Sequence, residues 1–138
     1  MLFPSLEKGS GPFQKTTASW AAREPAAPGE RYAAASFYCS LMTATCLELI
    51  GADGPIIVEG PFAANELYLG MLAAACGRPV ATGAGSVTGT AIGAAMLANC
   101  AGRNPVPQPR RNSGSIYMGA FQEYLTLWRA KVAALPAS

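Results

Sequence analysis

Along this chain the apolar positions switch repeatedly between helical spacing and short continuous runs, and the switches mark its elements. From Glu30 to Ile50 they recur at helical spacing. Tyr32, Ala35, Cys39, Met42, Cys46 and Leu49 fall on one face, and Phe37, Leu41 and Ala44 fill much of the rest. This predicts a helix apolar nearly all round and therefore deeply buried. Gly51 is its stop signal. Ile56-Ile57-Val58 follows the turn signal Gly54-Pro55 and is β-branched throughout, which predicts a short buried strand. Gly60-Pro61 ends that strand. Helical spacing resumes from Phe62 to Cys76, with Leu69, Leu72 and Cys76 on one face and Pro61 suited to the first helical position. Gly77 ends this helix, and Arg78-Pro79-Val80-Ala81-Thr82 reads as a second short strand.

After the turn Gly83-Ala84-Gly85-Ser86, a third helix is expected over about Thr88–Asn99, with a small-residue face of Gly89, Gly93, Ala94 and Ala95. Pro105, Pro107 and Pro109 make the next stretch an extended loop. A last amphipathic helix is expected over about Ser115–Ala134, burying Tyr117, Phe121, Tyr124, Trp128 and Val132. This order of elements is α/β, with a parallel strand pair joined by a helical crossover.

Two short strands are few for a parallel sheet, which normally has both faces covered and several members. Residues 1–29 add no period, because Gly9-Ser10-Gly11-Pro12, Pro25, Pro28 and Gly29 interrupt every one. Structureless runs of that length are uncommon in compact domains. The segment is expected to be disordered or to lie on something outside the chain. The chain therefore divides into an irregular segment, 1–29, and a folded part, 30–138, that reads as a portion of a larger fold.

Composition narrows the function. Of 138 residues, 51% are hydrophobic and only 13% charged, so burial is not limited by composition. The net charge is +2, and the ten basic residues are scattered, with only Arg110-Arg111 adjacent. No basic patch with interleaved aromatics points to nucleic acid. Cys39, Cys46, Cys76 and Cys100 form no CxxC pair, and there is no histidine, so a metal site is not expected. Each cysteine lies in an apolar helical stretch and is expected as a buried thiol of a cytoplasmic protein. Met1-Leu2-Phe3-Pro4 leads at once into polar loop sequence, so no signal peptide is expected. The uncharged run Tyr32–Leu47 carries Ser36, Ser40, Thr43 and Thr45 and is shorter than the ~20 apolar residues a bilayer needs, which argues against a membrane span.

Candidate chemistry centres on the strand, turn and helix around Gly60. A strand that ends in glycine and opens into a helix gathers backbone N–H groups and the positive helix end at one place, where a phosphate or polar ligand edge can bind. The same segment also fits an ordinary βα unit without a ligand. Gly83-Ala84-Gly85-Ser86-Val87-Thr88-Gly89 likewise follows a strand, but its glycine spacing differs from the dinucleotide fingerprint. No acidic residue occurs between Glu66 and Glu123 to bind a ribose. A Walker loop's GKS/GKT ending is missing too. Without histidine no Ser-His or Cys-His pair can form. Asp53 sits in a turn signal and is read as bonding the local backbone. Glu59, at the carboxyl end of the first strand, is a weak site candidate.

Taken together, Ile57-Val58-Glu59-Gly60-Pro61-Phe62-Ala63-Ala64-Asn65, Leu72-Ala73, Gly77-Arg78-Pro79-Val80 and Thr90-Ala91-Ile92-Gly93-Ala94-Ala95-Met96-Leu97-Ala98 resemble the C-terminal domain of FGGY carbohydrate kinases. The order and spacing of these segments fit over about residues 30–101. The Glu-Gly-Pro-Phe version looks most like sugar kinases of the fuculokinase or pentulose-kinase type. The resemblance implies a partial ribonuclease-H-like, actin-like ATPase domain, with an incomplete sheet flanked by helices. It also implies ATP and Mg²⁺, with the nucleotide contacted at Gly60, Pro61, Phe62 and Asn65. Proline at 61 departs from the family's usual glycine and removes one amide, leaving those of Phe62 and Ala63 at the helix start. Glycines 83, 85 and 89 match a loop rather than ligands.

The family's catalytic aspartate has no counterpart here, and the sugar-binding domain lies outside the chain. The implied function is the nucleotide-binding part of a kinase that transfers the γ-phosphoryl group of ATP to a sugar hydroxyl, inactive alone. The alternative is a standalone module that buries its open sheet edge by self-association as a homo-oligomer.

Overall fold

In the computed structural model, the described residues are 1–83 and 117–136, together with Ala94, Leu97 and Ala98 and the backbone of Arg110 and Arg111. The elements run β1 (Leu2–Phe3), β2 (Ser19–Trp20), α1 (Pro28–Leu49), β3 (Ile56–Val58), a 3₁₀ turn (Gly60–Ala64), α2 (Glu66–Cys76), β4 (Val80–Thr82), β5 (Arg110–Arg111) and α3 (Met118–Ala133). The expected third helix over 88–99 lies outside the described residues apart from Ala94, Leu97 and Ala98, which are helical. Gly85, Gly89, Cys100 and the Pro105–Pro109 stretch lie outside them as well.

β3 and β4 pair in parallel, Ile56 opposite Val80 and Val58 opposite Thr82, as the strand–helix–strand order predicts. β5 joins β4 on its other side, antiparallel, so the sheet order is β3-β4-β5. The adjacent arginines of β5 were not expected as a strand. They carry no β-branched or alternating pattern, and the ladder with β4 is what extends them.

α2 is the more enclosed helix, and this corrects the expectation for α1. Met71 and Ala74 pack into one cluster with Leu41, Phe121, Leu125 and Trp128. Tyr68, Leu69 and Leu72 pack into the other with Ala44, Val58 and Val80. Met71 and Leu72 are wholly buried, and each such side chain contributes ~1.5–3 kcal/mol. α1 lies outside α2 and buries only one flank. Its buried positions are Ala34, Ser36, Tyr38, Ser40, Leu41 and Ala44. Tyr32 and Leu49 of the predicted stripe are 56% and 69% exposed. The flank that turns inward is the one whose hydroxyls bond backbone. Ser40 Oγ lies 2.8 Å from the Ser36 carbonyl and 2.9 Å from that of Tyr68. Thr43 Oγ1 donates to the Cys39 carbonyl and accepts from the Tyr68 hydroxyl at 3.1 Å. Small residues and self-satisfied serines let the two helices approach closely, at little cost in unpaired polar groups.

α3 follows its predicted stripe more closely. Phe121 and Trp128 are buried, with Leu125 beside them, whereas Tyr117 at the helix edge is 58% exposed. Of residues 1–29, expected to be disordered or to lie on something outside the chain, the first part docks on this chain's own helices through Leu2, Phe3, Leu6 and Phe13. β1 and β2 pair antiparallel. The Trp128 indole N–H donates to the Leu2 carbonyl at 2.9 Å, the Leu6 amide donates to the Tyr38 hydroxyl at 3.3 Å, and Phe13 meets Trp128 edge-on. No period in the segment announces this docking, because it rests on single long-range contacts.

Among the described residues, no helix is long and apolar enough to cross a membrane.

Candidate functional site

The turn after β3 differs from its sequence reading in a way that redefines Asn65. The helix does not start at Phe62. Gly60–Ala64 forms a 3₁₀ turn with Pro61 in its first positions. Asn65 then leaves the helical region (φ −94°, ψ 94°) and caps α2. Its Oδ1 accepts the Tyr68 amide at 3.0 Å, and its Nδ2 donates to Ser36 Oγ at 2.9 Å. Ser36 Oγ in turn donates to the Tyr32 carbonyl at 2.8 Å. One side chain thus pins the turn both to α2 and to α1. An asparagine has two N–H donors and two carbonyl lone pairs, so one of each is left over at Asn65. The sequence did carry a cap signal, Asn65 followed by Glu66 in the first turn, but Pro61 offered an earlier helix start and concealed it.

The amides also differ from expectation. Phe62 and Ala63 lie within a 3₁₀ turn closed by the Asn65 amide on the Phe62 carbonyl at 3.1 Å, so their amides are not at the start of α2. What is open is Gly60. Its φ of +72° suits glycine, and a Cβ built there would meet nothing within 4 Å. Phe62 is 45% exposed, with its ring centroid 4.7 Å from that of Tyr68. Beside the turn, the Gly83 amide donates to the Val58 carbonyl at 3.1 Å. A Cβ on Gly83 would come within 3.2 Å of the Glu59 carboxylate. Gly60, Glu59 and Gly83 therefore converge where the two parallel strands end.

A described concavity lies elsewhere. A cavity of about 260 Å³ is lined by Ala44, Glu48, Ala52, Ala75, Cys76, Arg78 and Arg129. It sits at the far end of α2, ~16 Å along an eleven-residue helix from the Gly60 turn. Arg78 was read only as part of a strand. Its guanidinium donates to the carbonyls of Ala52 (2.8 Å) and Gly54 (3.3 Å) and braces the loop into β3. Arg129 pairs loosely with Glu48 at 4.0 Å, both more than half exposed, a contact of little energetic weight. Both arginines lining the cavity are therefore already partnered, at the C-terminal ends of α1 and α2.

The cysteines depart from the expectation of four buried thiols. Cys39 and Cys76 are half-buried and Cys46 is exposed. Burial pushes the Cys39 thiol up; it pushes Cys76 up as well, against a smaller opposing effect of Arg78. Among the described residues, no three His, Cys, Asp or Glu side chains come together as a metal cage.

Comparison with known proteins bears on this arrangement. The model of the carbohydrate kinase FGGY C-terminal domain matches residues 1–107, which include the whole β3–turn–α2–β4 unit and begin upstream of the segments that carry the sequence resemblance. A solved carbohydrate kinase from Novosphingobium aromaticivorans is similar in structure, with a TM-score of 0.77 and 30% identity over 96% of this chain. The chain spans 28% of that kinase's length. A search of curated proteins found no match. A family match over most of the chain, with the α/β arrangement to go with it, establishes that the chain belongs to the FGGY carbohydrate kinase family, as its C-terminal domain.

Proposed function

We propose that this chain is the nucleotide-holding part of a carbohydrate kinase that moves the γ-phosphoryl group of ATP to a sugar hydroxyl, and that it catalyses no transfer alone. The observation that carries this reading is the open Gly60 backbone at the carboxyl ends of two parallel strands, inside the family match. Ligands of α/β sheets bind at that end. Gly60 lets the nucleotide approach the main chain, and Pro61, which has no amide, bounds it on one side. Phe62 offers a half-exposed ring face. Asn65 keeps the turn in place and has one donor and one lone pair left for the ligand.

ATP supplies the phosphoryl group, and Mg²⁺ would accompany its phosphates. Among the described residues no three acidic, cysteine or histidine side chains gather to hold the metal. The base that takes the sugar proton belongs to polypeptide outside these residues. We place the C-terminal part of the kinase's second domain at 30–138, with 1–29 as an irregular N-terminal segment packed against α1 and α3 through its β1–β2 part. The Glu59-Gly60-Pro61-Phe62 sequence supports a fuculokinase-like or pentulose-kinase-like enzyme, working in the cytoplasm.

The test is a coupled ADP-release assay alongside thermal melts. The chain is expected to melt higher with millimolar ATP·Mg²⁺ and to show no sugar-dependent turnover with fuculose or pentuloses. Sugar-dependent ADP release by these 138 residues would overturn the claim of inactivity. A melt unmoved by ATP would overturn nucleotide binding.

A further inference from the structure

Ser36 is a buried hydroxyl, 3% exposed, on the inward flank of α1. Its only proton is committed to the Tyr32 carbonyl at 2.8 Å. Toward Asn65 it can therefore only accept, and Asn65 Nδ2 donates to it at 2.9 Å. At the other end of the carboxamide the Tyr68 amide can only donate, and Oδ1 accepts it at 3.0 Å. The two ends of a carboxamide are nearly alike in shape. A reversed one would set an oxygen against the Ser36 lone pairs and an NH₂ group against the Tyr68 N–H. The two partners thus leave a single orientation. The capping bond alone would not do this, because a carboxamide held only at Oδ1 can pivot about that contact. Ser40, one turn further along α1, joins the same two helices differently. It is wholly buried, and its hydroxyl lies against the carbonyls of Ser36 and Tyr68 rather than against the carboxamide.

We infer that Ser36 is a positioning residue for the nucleotide site: by accepting from Nδ2 it fixes the Asn65 carboxamide, so that the spare donor and lone pair of that group meet the ligand already oriented; this rests on the nucleotide-holding reading above. A side chain that is held beforehand has little rotamer freedom left to lose on binding, which lowers the cost of association. Ser36 itself is buried and acts only through Asn65. The first half of α1, which the sequence places far from the Gly60 turn, thereby becomes part of that site.

The test titrates this chain with ATP·Mg²⁺ by calorimetry and follows the Asn65 side-chain amide by NMR relaxation without nucleotide. Ser36→Ala removes the acceptor, and Ser36→Cys fills the space with a weak one. Both are expected to weaken ATP binding about two- to tenfold, the cost of immobilising one side chain on binding. Both should also lower the order parameter of the Asn65 side-chain amide from about 0.85 to below about 0.6. Ser40→Ala is expected to lower the urea midpoint about as much as Ser36→Ala does, while keeping ATP affinity within about 1.5-fold of native and Asn65 rigid. If the alanine variant at 36 does not fold, the cysteine variant decides. Native ATP affinity, or a rigid Asn65 amide, once Ser36 is replaced would overturn the inference and leave the nucleotide reading standing. An equal loss of affinity in Ser40→Ala would do the same, because it would trace the effect to the helix contact. A native chain that does not bind ATP would overturn the nucleotide reading and this inference with it, whatever the order parameter.

Discussion

Replacing Asn65 separates what this side chain does for the fold from what it does for a ligand. Its Oδ1 caps α2 through the Tyr68 amide, a contact worth about 1 kcal/mol. Its Nδ2 bridges to Ser36, in a net hydrogen bond of about 0.5–1.5 kcal/mol. Asn65→Ala removes both, so a loss of about 2 kcal/mol is expected, read as a urea midpoint lowered by about 1 M at unchanged slope. Asn65→Asp keeps a capping oxygen and adds negative charge at a helix N-terminus, favourable by about 0.3–1 kcal/mol. It loses the donor to Ser36, but the Ser36 hydroxyl, now donating to Tyr32, can turn to the carboxylate. The aspartate variant is therefore expected within about 1 kcal/mol of the native chain. The assay is urea unfolding followed by far-UV circular dichroism. An alanine variant within about 0.3 kcal/mol of native, or an aspartate variant as unstable as the alanine one, would refute the cap-and-bridge argument. With the aspartate variant folded as expected, loss of its ATP-dependent melting shift would report on the ligand site, through the missing donor and carboxylate–phosphate repulsion together, and not on the fold.

Gly70→Ala should destabilise despite a helix-propensity gain of about 1 kcal/mol, because its Cβ would lie 2.5 Å from a ring carbon of the buried Phe121; a melting temperature lowered by about 3–8 °C is expected, and a rise would refute it. Trp128→Phe leaves the Leu2 carbonyl without its buried donor, at a cost of about 1–3 kcal/mol, and should expose residues 1–20 to limited proteolysis before the helices. Burial pushes the Tyr124 phenol up from 10.0 to about 12. The unfolded chain therefore loses that proton first, and stability present below pH 10 should fall between pH 10 and 12; Tyr124→Phe should flatten that limb, as pH-dependent melts would show. Among the three described cysteines, exposed Cys46 should alkylate first at pH 8, with Cys39 and Cys76 lagging because burial disfavours their thiolates; peptide mass mapping decides it.

The turn that carries the candidate site was legible in outline, and the start of the helix after it was not. Pro61 and Gly60 located the turn and the family. The same proline suggested a helix start that the chain delays to Asn65, because proline also fits the first turn of a 3₁₀ segment. Ser36 gave no signal at all, since only helix packing brings it to Asn65, 29 positions away.

Local chemistry was enough to set the β-branched strand, the left-handed stop at Gly77, the α/β order and the parallel pairing. These follow from near-neighbour sterics and from the period of apolar residues. The tertiary structure decided which helix is enclosed. α1 and α2 are both apolar, and only the placement of the sheet and α3 puts α2 at the centre and leaves Tyr32 and Leu49 in water. It also decided that Leu2 and Phe13 fold back onto Trp128, and that Ile57, read as a buried strand residue, is 54% exposed. Burial and pairing depend on what lies across space, and a pattern along the chain cannot encode a neighbour that belongs to another stretch of polypeptide.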